Sequence, residues 1–174
     1  MEPLITATEL AALEGRIAFP QLEVAFNRLT LTQQEPSRIR IESGQATVER
    51  LALSGSAGTL TASGTVGLAG PRPLDVNVDG SLKIAALAAL TDAIRTDGTA
   101  AWKVSARGTA ANPDLTGTFD LIDATIADDD LHIAAVDVNA HLDLAGARVE
   151  LAKLSGEVNG GALDGSGIVT LGNG

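Results

Sequence analysis

The chain is predicted to be all-β: a meander of about ten antiparallel strands that curls about its long axis, with one or two short helices. Three observations predict this. Apolar and polar residues alternate with period two over many short runs. Clusters of Gly, Asn, Asp and Pro break those runs at close intervals, as in SGQA, GSAG, ANPD, LAGA and NGGA. One glycine-spaced strand is also written twice, as AGTLTASGTVGL (Ala57–Leu68) and GGALDGSGIVTL (Gly160–Leu171).

Taken in order, TATELAAL (Thr6–Leu13) carries a capping-box pattern, Thr6 with Glu9, and predicts a short helix. Residues 1–14 are therefore expected to be a helical or irregular lead-in, and 15–174 a single elongated β segment whose first strand starts by Gly15. In LEVAF, Leu22, Val24 and Phe26 share a face. In PLDVNVDG, Leu74, Val76 and Val78 oppose Asp75, Asn77 and Asp79. The next stretch, SLKIAALAALTDAIR (Ser81–Arg95), spaces Ile84, Leu87, Leu90 and Ile94 at three and four residues and predicts the second helix. AWKVSARG returns to alternation, with Trp102, Val104 and Ala106 on one side. VDVNAHLDLAG is the longest run, setting Val136, Val138, Ala140, Leu142 and Leu144 against Asp137, Asn139, His141 and Asp143.

The repeat reaches beyond the glycine strand. VERLALSG (Val48–Gly55) aligns without gaps to VELAKLSG (Val149–Gly156), two extra residues then preceding the second glycine strand, so a whole hairpin recurs. In the two copies the inward positions are Leu60, Ala62, Gly64, Val66, Leu68 and Leu163, Gly165, Gly167, Val169, Leu171. The middle of each apolar face is hollowed out. Glycine inside a strand marks a bend, a bulge or a close approach, and here it lets the sheet curl. The resulting trough is either folded tightly on itself or left open for aliphatic chains; composition is compatible with both.

Charge and composition exclude several function classes. Of 174 residues, 22 are acidic and 12 basic, a net charge of -10 that repels nucleic acid. One Trp, three Phe and no Tyr leave little to stack bases or sugars. There is no Cys, hence no disulfide and no thiolate metal site. The two histidines, His132 and His141, lie nine apart on opposite phases of neighbouring strand runs, and there is no Cys or Tyr, so no enzyme is expected. Asp137, Asn139, His141 and Asp143 share a strand face that is read as solvated rather than metal-binding, and Asp128–Asp130 as a polar turn. No cofactor or metal is expected.

At this point the residues carry a family likeness. NPDLTGTFDLIDATI (Asn112–Ile126), preceded by GTAAWKVSARGTA and followed by VDVNAHLDLAGARVELAKLSGEVNGGALDGSGIVTL, resembles the C-terminal repeat region of the TamB family, the inner-membrane component of the bacterial translocation and assembly module, within the AsmA-like, repeating β-groove proteins. The likeness runs from about Ile39 onward and lies in the order and spacing of strands. The chain is accordingly expected to be a segment of something longer. The resemblance implies a β-taco: a long sheet folded along its length, apolar inside and wet outside. It also implies a periplasmic location in a diderm bacterium, as part of a protein anchored in the inner membrane.

Two functions follow from the resemblance. One is phospholipid transport between the inner and outer membranes, with acyl chains shielded in the groove. The groove candidates are Leu60, Val66 and Leu68; Val76 and Val78; Trp102 and Val104; Phe119 and Leu121; Val136, Val138, Leu142 and Leu144; Val149; and Leu163, Val169 and Leu171. The other is assembly of outer-membrane β-barrel proteins and autotransporters with a TamA-like partner, by strand addition at an exposed edge, for which Val136–Leu144 is the candidate strand. Exposed strand edges are also expected to let the segment self-associate.

Overall fold

The computed structural model describes residues 14–26, 29–68, 72–86, 94–128 and 132–170, with the side chains of Phe26 and Ile94 outside that description. The predicted helix at Thr6–Leu13 and the candidate Leu171 lie outside the described residues.

Twelve strands form one antiparallel sheet. They are β1 (Gly15–Phe19), β2 (Glu23–Phe26), β3 (Leu29–Gln33), β4 (Ser37–Glu42), β5 (Gln45–Gly55), β6 (Gly58–Gly67), β7 (Pro73–Lys83), β8 (Ile94–Thr109), β9 (Pro113–Asp128), β10 (Ile133–Ala145), β11 (Arg148–Val158) and β12 (Gly161–Thr170). From β4 to β12 each strand pairs with the next, β1 adds outside β4, and the β2–β3 hairpin attaches through β3 to β5. The sheet is curled and open, with β1 at one end and β12 at the other. Two-residue turns at Ser43-Gly44 and Asn159-Gly160, all four residues at positive φ, match the twist of the strands they join.

Among the described residues there is no second layer. The chain exposes 11233 Å², against about 7,900 Å² for a compact monomer of its mass. Among the described residues no large side chain is fully buried. Two small clusters take the place of a core. Leu31, Leu53 and Ala57 pack with Leu22, Leu29, Leu51, Leu60 and Leu82 where the β2–β3 hairpin folds over the β5–β6 turn; there the Ala57 N–H donates to the Thr30 carbonyl at 3.0 Å. Ile84, Ala124 and Val138 pack with Ala100, Leu121, Ala135, Leu154 and Leu163. Leu163 lies on β12, two strands from Val138 on β10. It reaches the cluster across Gly156, where an added Cβ would come within 3.1 Å of Val138 Cγ2.

The predicted helix at Ser81–Arg95 does not form as read. Ser81–Lys83 complete β7, paired with Ala101, Ala100 and Thr99, and Ile94–Arg95 open β8 opposite Asp128 and Ala127. Between them Ile84–Ala86 make a single 3₁₀ turn, and Leu87 and Leu90 lie outside the described residues. Cross-strand hydrogen bonding to β8 and β9 outweighs the helical spacing, because a packed sheet offers these residues partners that an isolated short helix lacks.

The hairpin repeat is confirmed in a different register from the ungapped alignment. Val48 faces Gly64, and Leu151 faces Gly167; Leu53 faces Leu60, and Gly156 faces Leu163. Ile41 faces Ala46, and Leu144 faces Val149. Every one of these pairs recurs with both members displaced by 103 positions, so the meander β4–β5–β6 returns as β10–β11–β12 with no insertion. Each copy carries a one-residue bulge at the same place, opposite Ser63 in β6 and opposite Ser166 in β12. The ungapped match was off by two residues. A shift of two leaves every side chain on its own face, so alternation alone could not detect it.

Candidate functional site

The candidate site is the apolar face of this sheet. Residues directly opposite one another on antiparallel strands point to the same side, so the register places side chains on the face without further assumption. One row runs Ile17–Ile39–Val48–Gly64–Val76–Ala106–Leu115 from β1 to β9. A second runs Leu51–Ala62–Val78–Val104–Gly117–Leu144–Val149–Val169 from β5 to β12. A third is Leu53–Leu60–Gly80–Trp102–Phe119–Leu142–Leu151–Gly167, and a fourth Leu82–Ala100–Leu121–Ala140–Leu154–Gly165.

These rows interleave large and small residues. The indole of Trp102 lies over Gly80, its Cζ2 being 3.2 Å from where a Cβ there would sit. At Gly64 (φ 141°) the Cβ position is taken by the Asp75 carbonyl of β7. Glycine at this point lets two strands approach as no other residue would. The trough is thus deepened by missing side chains, and most of its lining is half-exposed.

The register brings Leu60, Val66, Val76, Val78, Trp102, Val104, Phe119, Leu121, Leu142, Leu144, Val149 and Val169 onto the one face; Val66 joins through Leu74. Val138 and Leu163 belong to the cluster with Ile84. Leu68 follows β6, its N–H bonded to the Gly44 carbonyl at 2.7 Å.

Val136 is misplaced by the alternation. Asp137 stands at φ 53°, the ladders to β9 and β11 both shift register there, and Ala135 rather than Val136 packs against the Val138 cluster. A bulge inverts the alternation beyond it. The Val136–Leu144 stretch is also no edge: β10 is paired on both sides, by β9 and β11.

Several lining residues escaped the sequence reading, among them Ile17, Ile39, Leu82, Leu115, Leu151 and Leu154. Ile17 in GRIAF and Ile39 in SRIRIE do alternate with Arg16, Arg38 and Arg40, a short signal of the right period. Leu151 and Leu154 straddle the bulge in β11, and their spacing of three hides their common face.

The opposite face is polar and cross-linked. The Ser105 hydroxyl donates to Asn77 Oδ1 at 2.6 Å, and Arg107 Nε stands 3.6 Å from Asp75. Asn139 accepts from the Asp123 N–H at 3.1 Å and donates to the Asp137 carbonyl at 3.0 Å. His141 Nδ1 lies 2.5 Å from Asp120 on β9 and its Nε2 3.6 Å from Asp143, with Lys153 opposite on β11. Among the described residues no three acidic or imidazole groups converge in a metal-holding arrangement. A concavity of about 310 Å³ at the β1–β4 end is lined by Arg16, Ala18, Arg38, Arg40 and Glu49 together with Ile17 and Ile39 of the first apolar row.

The hydrogen bond that the protonated His141 ring donates to the Asp120 carboxylate raises the His141 pKa above its ordinary value, reinforced by the charges of Asp120 and Asp143 and opposed by desolvation. The imidazolium therefore contributes stability that is fully present below about pH 6.5 and is lost as pH rises through the raised native value. An NMR titration of the His141 ring is expected to show the raised midpoint in the native chain and its return toward the ordinary value in Asp120→Asn. An unchanged midpoint in that variant would remove Asp120 as the cause.

No protein-family model, curated protein or solved structure matches the chain.

Proposed function

We propose that the chain is a segment of a TamB-like protein, anchored in the inner membrane and spanning the periplasm of a diderm bacterium, whose apolar trough carries phospholipid acyl chains between the inner and outer membranes. The observation that carries this reading is the combination of apolar rows, aliphatic side chains interleaved with glycine around Trp102 and Phe119, with a single-layer sheet: the rows face one way and only small clusters cover them. Strand order and spacing add the family likeness.

The physical task suits such a surface. Moving a sixteen-carbon chain through water costs about 13 kcal/mol at 0.8 kcal/mol per CH₂, and an apolar trough lowers that barrier without chemistry. Valine, leucine and alanine bind without direction, so a chain slides along them, while the head group stays in water at the open side. No catalytic residue is required.

Trp102, the single tryptophan, tests this directly, because it lies in the third row beside Phe119. Phosphatidylethanolamine carrying brominated acyl chains, presented in vesicles, is expected to quench Trp102 by at least half, whereas unbrominated vesicles and glycerophosphoethanolamine leave it unchanged. Leu142→Asp, in the same row but outside both buried clusters, is expected to abolish the quenching with the fold retained by circular dichroism. Trp102 emission indifferent to brominated chains would sink the lipid reading.

A further inference from the structure

The two copies of the repeated unit carry opposite charge in one place. β1 pairs with β4 as β9 pairs with β10: Gly15 faces Ile41 where Gly117 faces Leu144, and Ile17 faces Ile39 where Phe119 faces Leu142. Alongside them Arg16 faces Arg40 and Ala18 faces Arg38, where the second copy sets Thr118 against Asp143 and Asp120 against His141. We infer that Arg16, Arg38 and Arg40 form an anion site that takes a phosphate monoester, its phosphoryl group bridged between Arg16 and Arg38 over the gap left by Ala18.

The register is unfavourable to the chain alone. Like charges directly opposite on antiparallel strands repel, and Arg16 stands opposite Arg40 in a chain with 22 acidic residues against 12 basic ones. Arg40 is balanced, by Glu49 at 2.9 Å and Glu42 at 3.5 Å. Among the described residues no carboxylate or hydrogen-bond acceptor holds the side chain of Arg16 or Arg38. The second copy proves that the fold does not require this arrangement. There the equivalent positions satisfy one another, His141 standing between Asp120 and Asp143. A local conflict that the same fold avoids elsewhere points to a ligand rather than to packing.

The space agrees with the charge. Ala18 puts only a methyl group into the concavity of about 310 Å³ that the arginines line, whereas Asp120, its counterpart, is engaged with His141. Diagonal neighbours on paired strands lie about 7–8 Å apart, a span that two arginine side chains close around one tetrahedral oxyanion, each guanidinium offering parallel N–H donors. Two uncompensated guanidinium charges match a phosphate monoester dianion; a carboxylate would leave one of them unmatched. Alternation turns these arginines away from Ile17 and Ile39, so the site is distinct from the trough and does not depend on acyl chains occupying it.

The test uses the full chain with ¹⁵N-labelled arginine, titrated at constant ionic strength with inorganic phosphate, glycerol 3-phosphate and acetate. Both phosphates are expected to saturate at millimolar concentration, shifting the Nε resonances of Arg16 and Arg38 and leaving those of Arg107 and Arg148 in place, while acetate shifts none. Arg16→Thr, the residue of the second copy, is expected to weaken phosphate binding at least tenfold and to raise the thermal midpoint in phosphate-free buffer, because it relieves the repulsion with Arg40. Arg148→Ala removes the same charge elsewhere on the sheet and is expected to leave phosphate binding unchanged. Vesicles containing phosphatidic acid identify the source of the phosphoryl group. Vesicle binding that glycerol 3-phosphate displaces assigns a lipid head group, and saturable glycerol 3-phosphate without vesicle binding assigns a free phosphate ester; each supports the site. Absence of shifts at the two arginines, equal shifts with acetate, or shifts spread over all arginines would overturn the proposal. So would an Arg16→Thr variant that binds phosphate as tightly as the parent, and a fall in its midpoint would then assign the arginine to the fold.

Discussion

Replacing Gly117 by Val is expected to cost about 3 kcal/mol or more of unfolding free energy, enough to leave a single-layer sheet largely unfolded. Gly117 sits in β9 between Val104 and Leu144 at φ 139°, a conformation side-chain-bearing residues rarely adopt. The Cβ position there is already occupied by the Lys103 carbonyl oxygen of β8. Valine must therefore either strain its backbone or separate β8 from β9, the two longest strands of the sheet. Gly167→Val supplies the control, because its Cβ enters open space on an edge strand and its φ is not in the left-handed region. Its cost is expected to stay within about 0.5 kcal/mol. Chemical denaturation of the two variants decides the matter, and equal midpoints would mean that glycine is dispensable to the curl.

Val138→Asp is expected to destabilise the chain by about 4 kcal/mol, whereas Val136→Asp costs less than about 1 kcal/mol. Val138 is 8% exposed and packs with Ile84 and Ala124, so a carboxylate there is desolvated without a partner. Val136 faces Glu157 beside the Asp137 bulge and does not pack on the cluster. Simple alternation ranks the two valines together. Urea unfolding of both variants separates the accounts, and similar losses would show that the alternation continues through Asp137 unbroken. The same comparison bears on lipid-binding variants: Val138 is a poor choice for testing the trough, because its loss unfolds the segment before it empties the groove.

Much of the site was legible in the residues. PLDVNVDG and AWKVSARG each place their apolar side chains on the predicted face, since the pairing of Val76 with Ala106 and Val78 with Val104 only extends what period two already requires. Charged and amide residues marked the opposite face equally well, down to the Asp75–Arg107 pair. The misses share one cause. At Asp137, at Leu151–Leu154 and at Ser81–Leu82, a local pattern was overruled by the hydrogen-bond ladder to the adjoining strands.

By itself, the amino-acid sequence determined that this chain is a β meander with one apolar and one polar face, where its turns fall, and that one hairpin is repeated. These are local properties: side-chain direction alternates with each residue, and turn residues act within a few positions. Only the tertiary structure decided which strands are edges, where bulges reverse the alternation, and the true register of the repeat. Those depend on which backbone donors and acceptors meet across the sheet, and a slip of two residues costs the face pattern nothing. Hence Val136–Leu144, the longest alternating run and the candidate edge, lies inside the sheet, paired on both sides.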